Sequence, residues 1–259
     1  MALSADERER YARHILLKEI GGPGQQKLKA ATVAIVGAGG LGSPAALYLA
    51  AAGVGVLRLI DHDEVAVSNL QRQILFCSAD VGAPKVERAK SALHALNPHV
   101  KIDPRAVRLD DANAAGLLEG ADIVLDGADD FATRFAVNAA CHELGVTFIS
   151  GAVGRWDGQV ATFKSGGTKH LPPDRRLPCY RCFVPETPPD AETCAQVGII
   201  GALPGVIGSI MALEAIKEIA EAGDSLAGRL LIYDGLNATS RTVALSPDPA
   251  CRVCGHGQR

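Results

Sequence analysis

Residues 37–42 read GAGGLG and have the types and spacing of a turn that binds phosphate. The turn follows an apolar run and precedes a helix of small residues, and in that setting a G-x-G-x-x-G motif is informative. Gly37 permits the tight turn, Gly39 lets the backbone approach a phosphate, and Gly42 lets the helix pack close to the strand. The N-terminus of the helix offers free N–H groups to an anion. A glycine turn that only packs is the alternative.

Charged residues are expected at the same edge of the predicted sheet. Asp61 ends the second apolar run, where an acid commonly binds ribose hydroxyls, and residues 126–130 (DGADD) follow a later apolar run. Arg72 and Lys85 lie on the connections between these strands. Together with Asp129 they are the cations and the acid that a nucleoside triphosphate and Mg²⁺ require. Each could be a solvated surface charge, but that alternative weakens when they share one crevice.

Four cysteines form two C-x-x-C pairs, Cys179 with Cys182 and Cys251 with Cys254. Two such pairs suit a tetrahedral structural zinc that would tie the chain end to a distant loop. Unconnected thiols are the alternative, and a redox role is disfavoured because neither pair has a thioredoxin-like context. Cys194 has no pair, and its sequence context leaves open whether it is a nucleophile or a bystander.

Composition excludes several classes of protein. Of 259 residues, 47% are hydrophobic and only 4% aromatic, so the core consists of small and aliphatic side chains, as in a parallel sheet covered by helices. A net charge of −3 gives no basic surface for nucleic acid. The N-terminus lacks the apolar core of a signal peptide, and we expect a cytoplasmic protein. The apolar stretch 197–213 contains glycines and Pro204 and continues into Glu214, so we expect a turn and a buried or interfacial helix rather than a membrane span.

Strands and helices alternate along most of the chain, which predicts an α/β fold: a Rossmann-like, mostly parallel sheet with helices on both faces. Antiparallel strands and the zinc site are expected at the C-terminus. Strands are predicted at 33–36, 54–60, 100–107, 121–125, 146–150, 159–163, 229–233 and 239–245. Helices are predicted from Ser4 to about Lys18 and at 25–30, 43–52, 82–96, 110–118, 132–144 and 205–220. We expect one domain, with a helical arm at 1–30, a nucleotide-binding half at 31–151, and a second half at 152–259 with a long loop at 165–196.

Taken together, these motifs resemble a known enzyme family. The combination consists of the glycine turn, Asp61–Asp63, the string SNLQRQ at 68–73, GAPK at 82–85, and the two cysteine pairs. It is similar to the adenylyltransferases of the MoeB, ThiF and HesA types, which activate ubiquitin-like sulfur carriers and are related to ubiquitin-activating enzymes. The similarity runs from Arg8 to Cys254, and SNLQRQ after a glycine turn and an acid is highly specific.

The resemblance implies a reaction and partners. The reaction is ATP-dependent adenylation of the C-terminal glycine carboxylate of a small carrier protein that ends in Gly-Gly, giving an acyl-adenylate and pyrophosphate before thiocarboxylate formation. The second half of the chain would bind the carrier, with 165–196 crossing over its tail. The resemblance also implies a homodimer and, because no rhodanese extension follows Cys254, a separate persulfide donor. Molybdopterin, thiamine, cysteine and tRNA-thiolation pathways all stay open.

The resemblance also implies roles for individual residues. Arg13 would reach the nucleotide site of the partner subunit, and Cys194 matches a cysteine that links covalently to the carrier in some members. Asp130 stands where members often have Asn, which puts its role in doubt; it could instead assist the metal. ATP and Mg²⁺ would be bound by Gly37, Gly39, Gly40, Gly42, Asp61, Ser68, Asn69, Leu70, Gln71, Arg72, Lys85, Asp129 and Asp130. Zinc would be held by Cys179, Cys182, Cys251 and Cys254.

Two other functions fit part of the pattern. An NAD-dependent oxidoreductase would explain the glycine turn and Asp61 but leaves Arg72, Lys85 and the cysteine pairs unexplained. A non-catalytic scaffold that binds a carrier would predict binding without turnover, and the complete set of cations and acids argues against it.

Overall fold

One mixed sheet forms the centre of this computed structural model, which describes residues 2–189 and 198–255. Its strands are β1 (Thr32–Val36), β2 (Val56–Ile60), β3 (Lys101–Arg105), β4 (Ile123–Asp126), β5 (Thr147–Gly154), β6 (Asp157–Phe163), β7 (Arg229–Asp234) and β8 (Thr239–Ala244). The spatial order is β3-β2-β1-β4-β5-β6-β7-β8. Pairings from β3 to β5 are parallel, and those from β5 to β8 are antiparallel. The predicted fold class is confirmed.

Helices cover both faces of the sheet. They are α1 (Ala5–Arg10), α2 (Ala12–Ile15), α3 (Gly21–Ala30), α4 (Gly42–Ala52), α5 (Lys85–Leu96), α6 (Ala114–Leu118), α7 (Phe131–Leu144), α8 (Ser165–Thr168), α9 (Tyr180–Phe183) and α10 (Ala202–Ala220). The first hydrophobic cluster packs α3, α4, α5 and α10 on one face, and the second packs α6, α7 and α9 on the other. Strand β1 supplies Val33 and Ile35 to the first cluster and Ala34 and Val36 to the second. A strand buried on both faces reads as the continuous apolar run seen in the sequence.

The N-terminal arm differs from the single helix predicted up to Lys18. The capping box at Ser4 forms, because the Glu7 N–H donates to Ser4 Oγ at 3.1 Å and the Ser4 N–H to Glu7 Oε2 at 2.7 Å. However, α1 ends at Arg10, and Tyr11 separates it from α2. The buried Tyr11 hydroxyl accepts a 2.8 Å hydrogen bond from Asn97 Nδ2, a residue far along the chain. The helix is interrupted at the residue that makes this tertiary contact.

The glycines at 21–24 start a helix instead of only breaking one. Helix α3 begins at Gly21, four residues before the predicted start at 25. Pro23 lies in its first turn, where the missing N–H would have no intrahelical partner, so the ring is tolerated there.

The predicted loop at 165–196 contains more structure than its polar, proline-rich sequence suggests. Helices α8 and α9 and a short 3₁₀ helix (Pro173–Arg175) lie within it. A 3.0 Å hydrogen bond from the Leu177 N–H to Thr168 Oγ1 ties its middle to α8. Residues 190–197 of this segment lie outside the described residues.

Helix α10 begins at Ala202, three residues before the predicted start. Pro204 again fits a first helical turn. Among the residues that the structure describes, none of the helices combines the length and apolarity needed to cross a bilayer.

Candidate nucleotide site and four-cysteine centre

A cavity of about 400 Å³ opens at the carboxyl ends of β1, β2 and β4. This is the edge at which open parallel sheets bind ligands. Eight residues predicted to bind the nucleotide line it, namely Gly37, Gly39, Gly40, Asp61, Arg72, Lys85, Asp129 and Asp130. The structure therefore brings the glycine turn together with cations and acids that the sequence places on four other segments.

The glycine turn packs so tightly that two of its positions exclude any side chain. A Cβ on Gly42 would lie 1.9 Å from the Gly37 carbonyl oxygen. Gly37 has φ +87°, and a Cβ there would lie 3.0 Å from the Gly127 carbonyl oxygen. The turn consequently brings the N-terminus of α4 directly over the strand ends, where the free N–H groups of an eleven-residue helix can meet a phosphate.

Asp61 closes this turn from the neighbouring strand. Its Oδ2 accepts the Ala38 N–H at 2.8 Å, and its Oδ1 accepts the Asp63 N–H at 2.8 Å. Nζ of Lys85, which is buried, lies 2.8 Å from Asp63 Oδ2 and 4.0 Å from Asp61 Oδ2. Burial by itself would raise the pKa of Asp63, but the hydrogen bond and charge of Lys85 outweigh it and lower that pKa. The cavity thus has a buried cation held between two acids.

Arg72 reaches the cavity from a short 3₁₀ helix (Val67–Asn69) and the turn after it. Arg72 Nη1 donates to the Ser68 carbonyl oxygen at 2.9 Å, and Asn69 Oδ1 accepts the Ala66 N–H at 3.2 Å. Five predicted nucleotide ligands are not among the described residues that line the cavity, namely Gly42, Ser68, Asn69, Leu70 and Gln71. Residues 68–71 form the turn that leads to Arg72, and for all five a direct contact with nucleotide stays a prediction.

Three acids lie at the end of β4 and in the turn after it, and their environments differ. Asp126 is fully buried, and burial raises its pKa, although Ser150 Oγ donates to its Oδ2 at 2.8 Å. Asp130 caps α7, since its Oδ1 accepts the Thr133 N–H at 2.8 Å and its Oδ2 accepts the Thr133 hydroxyl at 2.7 Å. Asp129 is exposed at the cavity. Of the three, Asp129 is best placed to hold a divalent cation beside phosphate.

The four paired cysteines lie close together, near the C-terminal end of the described residues. The Sγ atoms of Cys179 and Cys251 lie 3.5 Å apart and those of Cys182 and Cys254 lie 3.3 Å apart. All four sulfur atoms lie within 4.8 Å of one another. Contacts among the thiols lower the pKa of Cys182, whose thiolate form is the one that binds metal, and raise the pKa of Cys179 and of Cys254. This donor set fits a closed structural zinc, with no position left for substrate.

A protein-family model covers nearly the whole of this structure. The model described as the ThiF family matches residues 11–253. This chain belongs to the ThiF family. The resemblance expected from the sequence motifs is therefore confirmed.

Curated members of the ThiF family match this chain over most of their length. The sulfur carrier protein adenylyltransferase of Thermus thermophilus is 45% identical over 257 residues, which cover 98% of this chain and 93% of that protein. The molybdopterin-synthase adenylyltransferase of Escherichia coli is 44% identical over 253 residues, covering 98% of each. A crystal structure of E. coli MccB with MccA-N7isoASN shares the fold, with a TM-score of 0.82, 24% identity, and coverage of 97% of this chain and 76% of that one.

Several residues of this ThiF cavity were not predicted from the sequence. Gln73 is buried, and its Oε1 has no hydrogen-bond partner among the described residues. Gln73 ends the SNLQRQ string, so its position next to Arg72 was a signal. Arg134 and Tyr180 also line the cavity. An arginine inside an amphipathic helix usually indicates a solvated face, and a tyrosine between two cysteines indicates packing, so neither gave a signal.

Two further residues were predicted to be catalytic, Arg13 and Cys194. Arg13 is exposed on α2 and is not among the described residues that line the cavity of its own chain. Cys194 lies outside the described residues.

Proposed function

We propose that this ThiF-family chain is an adenylyltransferase that uses ATP to activate the C-terminal glycine carboxylate of a small ubiquitin-like sulfur carrier. The observation that carries the proposal is the convergence of the glycine turn, Arg72, Lys85 and Asp129 on one cavity. Relatives of nearly equal length, at 44% and 45% identity, are named for this type of reaction, which supports the same chemistry here.

The reaction joins two anions, so the site must neutralise charge. A carboxylate oxygen forms a bond to the α-phosphorus, the bond from that phosphorus to the bridging oxygen breaks, and pyrophosphate leaves with the electron pair. Arg72 and Lys85 stabilise charge on the phosphate oxygens together with the N-terminus of α4. Asp129 would hold Mg²⁺, which adds positive charge at the phosphates. A C-terminal carboxylate is already ionised at neutral pH, so the site needs no general base.

A second wall of the cavity is available for the carrier tail. Ala152, Val153 and Gln159 of the β5–β6 hairpin line it, together with Pro204 and with Ile199, which pairs with Arg155 at the turn of the hairpin. Most of these side chains are small or apolar, which suits a slim glycine tail. We propose that the Gly-Gly tail enters here and that a separate persulfide donor supplies the sulfur. We further propose a cytoplasmic protein with zinc in the four-cysteine centre, in keeping with the two thiol pairs.

Isotope exchange between pyrophosphate and ATP tests this function. We expect exchange only when a carrier ending in Gly-Gly is present, because the reverse reaction requires the acyl-adenylate. The matched control is the same carrier without its last two glycines, which should support no exchange, and NAD should not compete with ATP. Absence of exchange with every Gly-Gly-ended small protein of the host would contradict the proposal.

A homodimer would explain why Arg13 lies away from its own cavity. Leu16 and Leu17, one turn further along the chain, are 74% and 51% exposed, which favours a protein contact around Arg13. We propose that Arg13 completes the nucleotide site of the partner subunit.

Subunit mixing tests this arrangement. Arg13→Ala and Lys85→Ala should each be inactive alone, because each removes a cation from every site. Mixed by refolding or co-expression, they should recover about a quarter of wild-type exchange, since half of the dimers would be mixed and one site in each would be intact. If Arg13 acts within its own subunit, every site retains a defect and no activity returns.

A further inference from the structure

Tyr180 lies between the four-cysteine centre and the nucleotide cavity. It follows Cys179 directly, begins α9, and lines the cavity together with Asp129 and Arg134. Only 3% of its surface is exposed. One residue is therefore part of both sites.

The backbone of Tyr180 is fixed by α7. The Tyr180 N–H donates to Asn138 Oδ1 at 2.8 Å, and Asn138 Nδ2 donates to Cys179 Sγ at 3.7 Å. Asn138 is 1% exposed, so both of its contacts are shielded from water. The helix that begins at the nucleotide site with Asp130 thus also holds the first cysteine pair.

The ring of Tyr180 is fixed by other aromatic residues. Its centroid lies 5.7 Å from that of Phe163, 6.0 Å from Phe135, 6.2 Å from Phe148 and 6.3 Å from Phe183, with tilted or edge-on geometry. Such a cluster leaves the ring little freedom. The hydroxyl is therefore delivered to one place at the cavity.

That place is beside Arg134. Arg134 and Tyr180 both line the cavity, where burial raises the pKa of the Tyr180 hydroxyl and the charge of Arg134 opposes that rise, and Arg134 Nη2 donates to the Ala128 carbonyl oxygen at 2.6 Å. Its Nη1 lies 3.9 Å from Asp126 Oδ2. Arg134 thus contacts both Asp126 and Ala128, the two ends of the segment that directly precedes Asp129.

From these contacts we propose that Tyr180 is a positioning residue for the magnesium-binding acid. Its hydroxyl orients Arg134, and Arg134 holds the turn on which Asp129 meets the cation. The inference rests on the proposed function, because it assumes that Mg²⁺ and ATP bind here. It assigns to the first cysteine pair a part in shaping the nucleotide site in addition to its part in metal binding.

Tyr180→Phe tests the proposal, because it removes only the hydroxyl and keeps the ring in its aromatic cluster. Binding of a fluorescent ATP analogue is measured at graded Mg²⁺ concentrations, together with thermal unfolding. We expect the Mg²⁺ concentration for half-maximal binding to rise about five-fold, the size of effect that follows the loss of one polar contact with a charged group, with recovery at excess Mg²⁺. Tyr233→Phe is the matched control, since Tyr233 lies on β7 and does not line the cavity.

A second variant, at Arg134, tests whether Tyr180 acts through Arg134. Arg134→Lys keeps the charge but loses the planar donor pair, and adding Tyr180→Phe to it should cause no further loss. Wild-type Mg²⁺ dependence in Tyr180→Phe, or a fully additive double variant, would overturn this inference alone. A wild-type chain that binds no nucleotide in the presence of Mg²⁺ would overturn the proposed function and this inference with it.

Discussion

Asp129→Ala is expected to abolish pyrophosphate–ATP exchange while the chain stays folded. The carboxylate is exposed at the cavity, and the neighbouring Asp130 caps α7, so the fold does not depend on Asp129. Loss of the acid that holds Mg²⁺ removes charge stabilisation from the transition state, and we expect exchange to fall by about a thousand-fold or more. The measurements are carrier-dependent exchange and the melting temperature.

The control for this change is another exposed aspartate. Asp224 lies between α10 and β7, away from the cavity, and Asp224→Ala should retain wild-type exchange. Raising the Mg²⁺ concentration should not rescue Asp129→Ala, because the ligand itself is missing. Near-normal exchange in Asp129→Ala would remove this residue from the metal-binding role.

Gly42→Ala is expected to destabilise the whole nucleotide-binding half. Its Cβ would lie 1.9 Å from the Gly37 carbonyl oxygen, and because the clashing atom belongs to the backbone, no side-chain rotation relieves it. Overpacking of this kind costs about 3 kcal/mol or more. In a chain of this size that corresponds to a fall of about 10 °C in melting temperature, measured by calorimetry.

Gly116→Ala provides the matched control. Gly116 lies in helix α6, and a Cβ there would meet nothing within 4 Å. Alanine is the better helix former, so this variant should be unchanged or stabilised by about 0.5–1 kcal/mol. Equal melting temperatures for the two variants would show that the strand and helix can separate at Gly42 without cost.

The sheet could be predicted because its strands carry local signals. Val33–Val36 and residues 123–125 are apolar without alternation, which is the pattern of strands buried on both faces. The arm could not be predicted in detail, because α1 ends where Tyr11 meets Asn97, and a contact between residues 86 positions apart leaves no local pattern. Helices α8 and α9 were missed for a similar reason, since they depend on tertiary contacts within a polar segment.

The candidate site was predictable where chemistry alone selects the residue type. Glycine at 37 and 42 and a cation at Lys85 follow from what phosphate binding requires, whereas the contacts of Lys85 with Asp61 and Asp63 were not predicted. Arg134 and Tyr180 were not predicted, because their participation depends on burial, and burial is a property of the fold. Helix α7 and an aromatic cluster place these two side chains at the cavity, and no short motif describes that packing. Gln73 is different, because it ends the SNLQRQ string and could have been assigned from that motif.

The sheet changes direction between β5 and β6, and the cavity lies across that change. One wall consists of parallel-strand ends, and the other is an antiparallel hairpin with its own turn. The two walls can therefore diverge separately in evolution, because replacing side chains on the hairpin leaves the opposite wall in place. An architecture of this kind can acquire new acyl substrates while it conserves a single way of opening ATP.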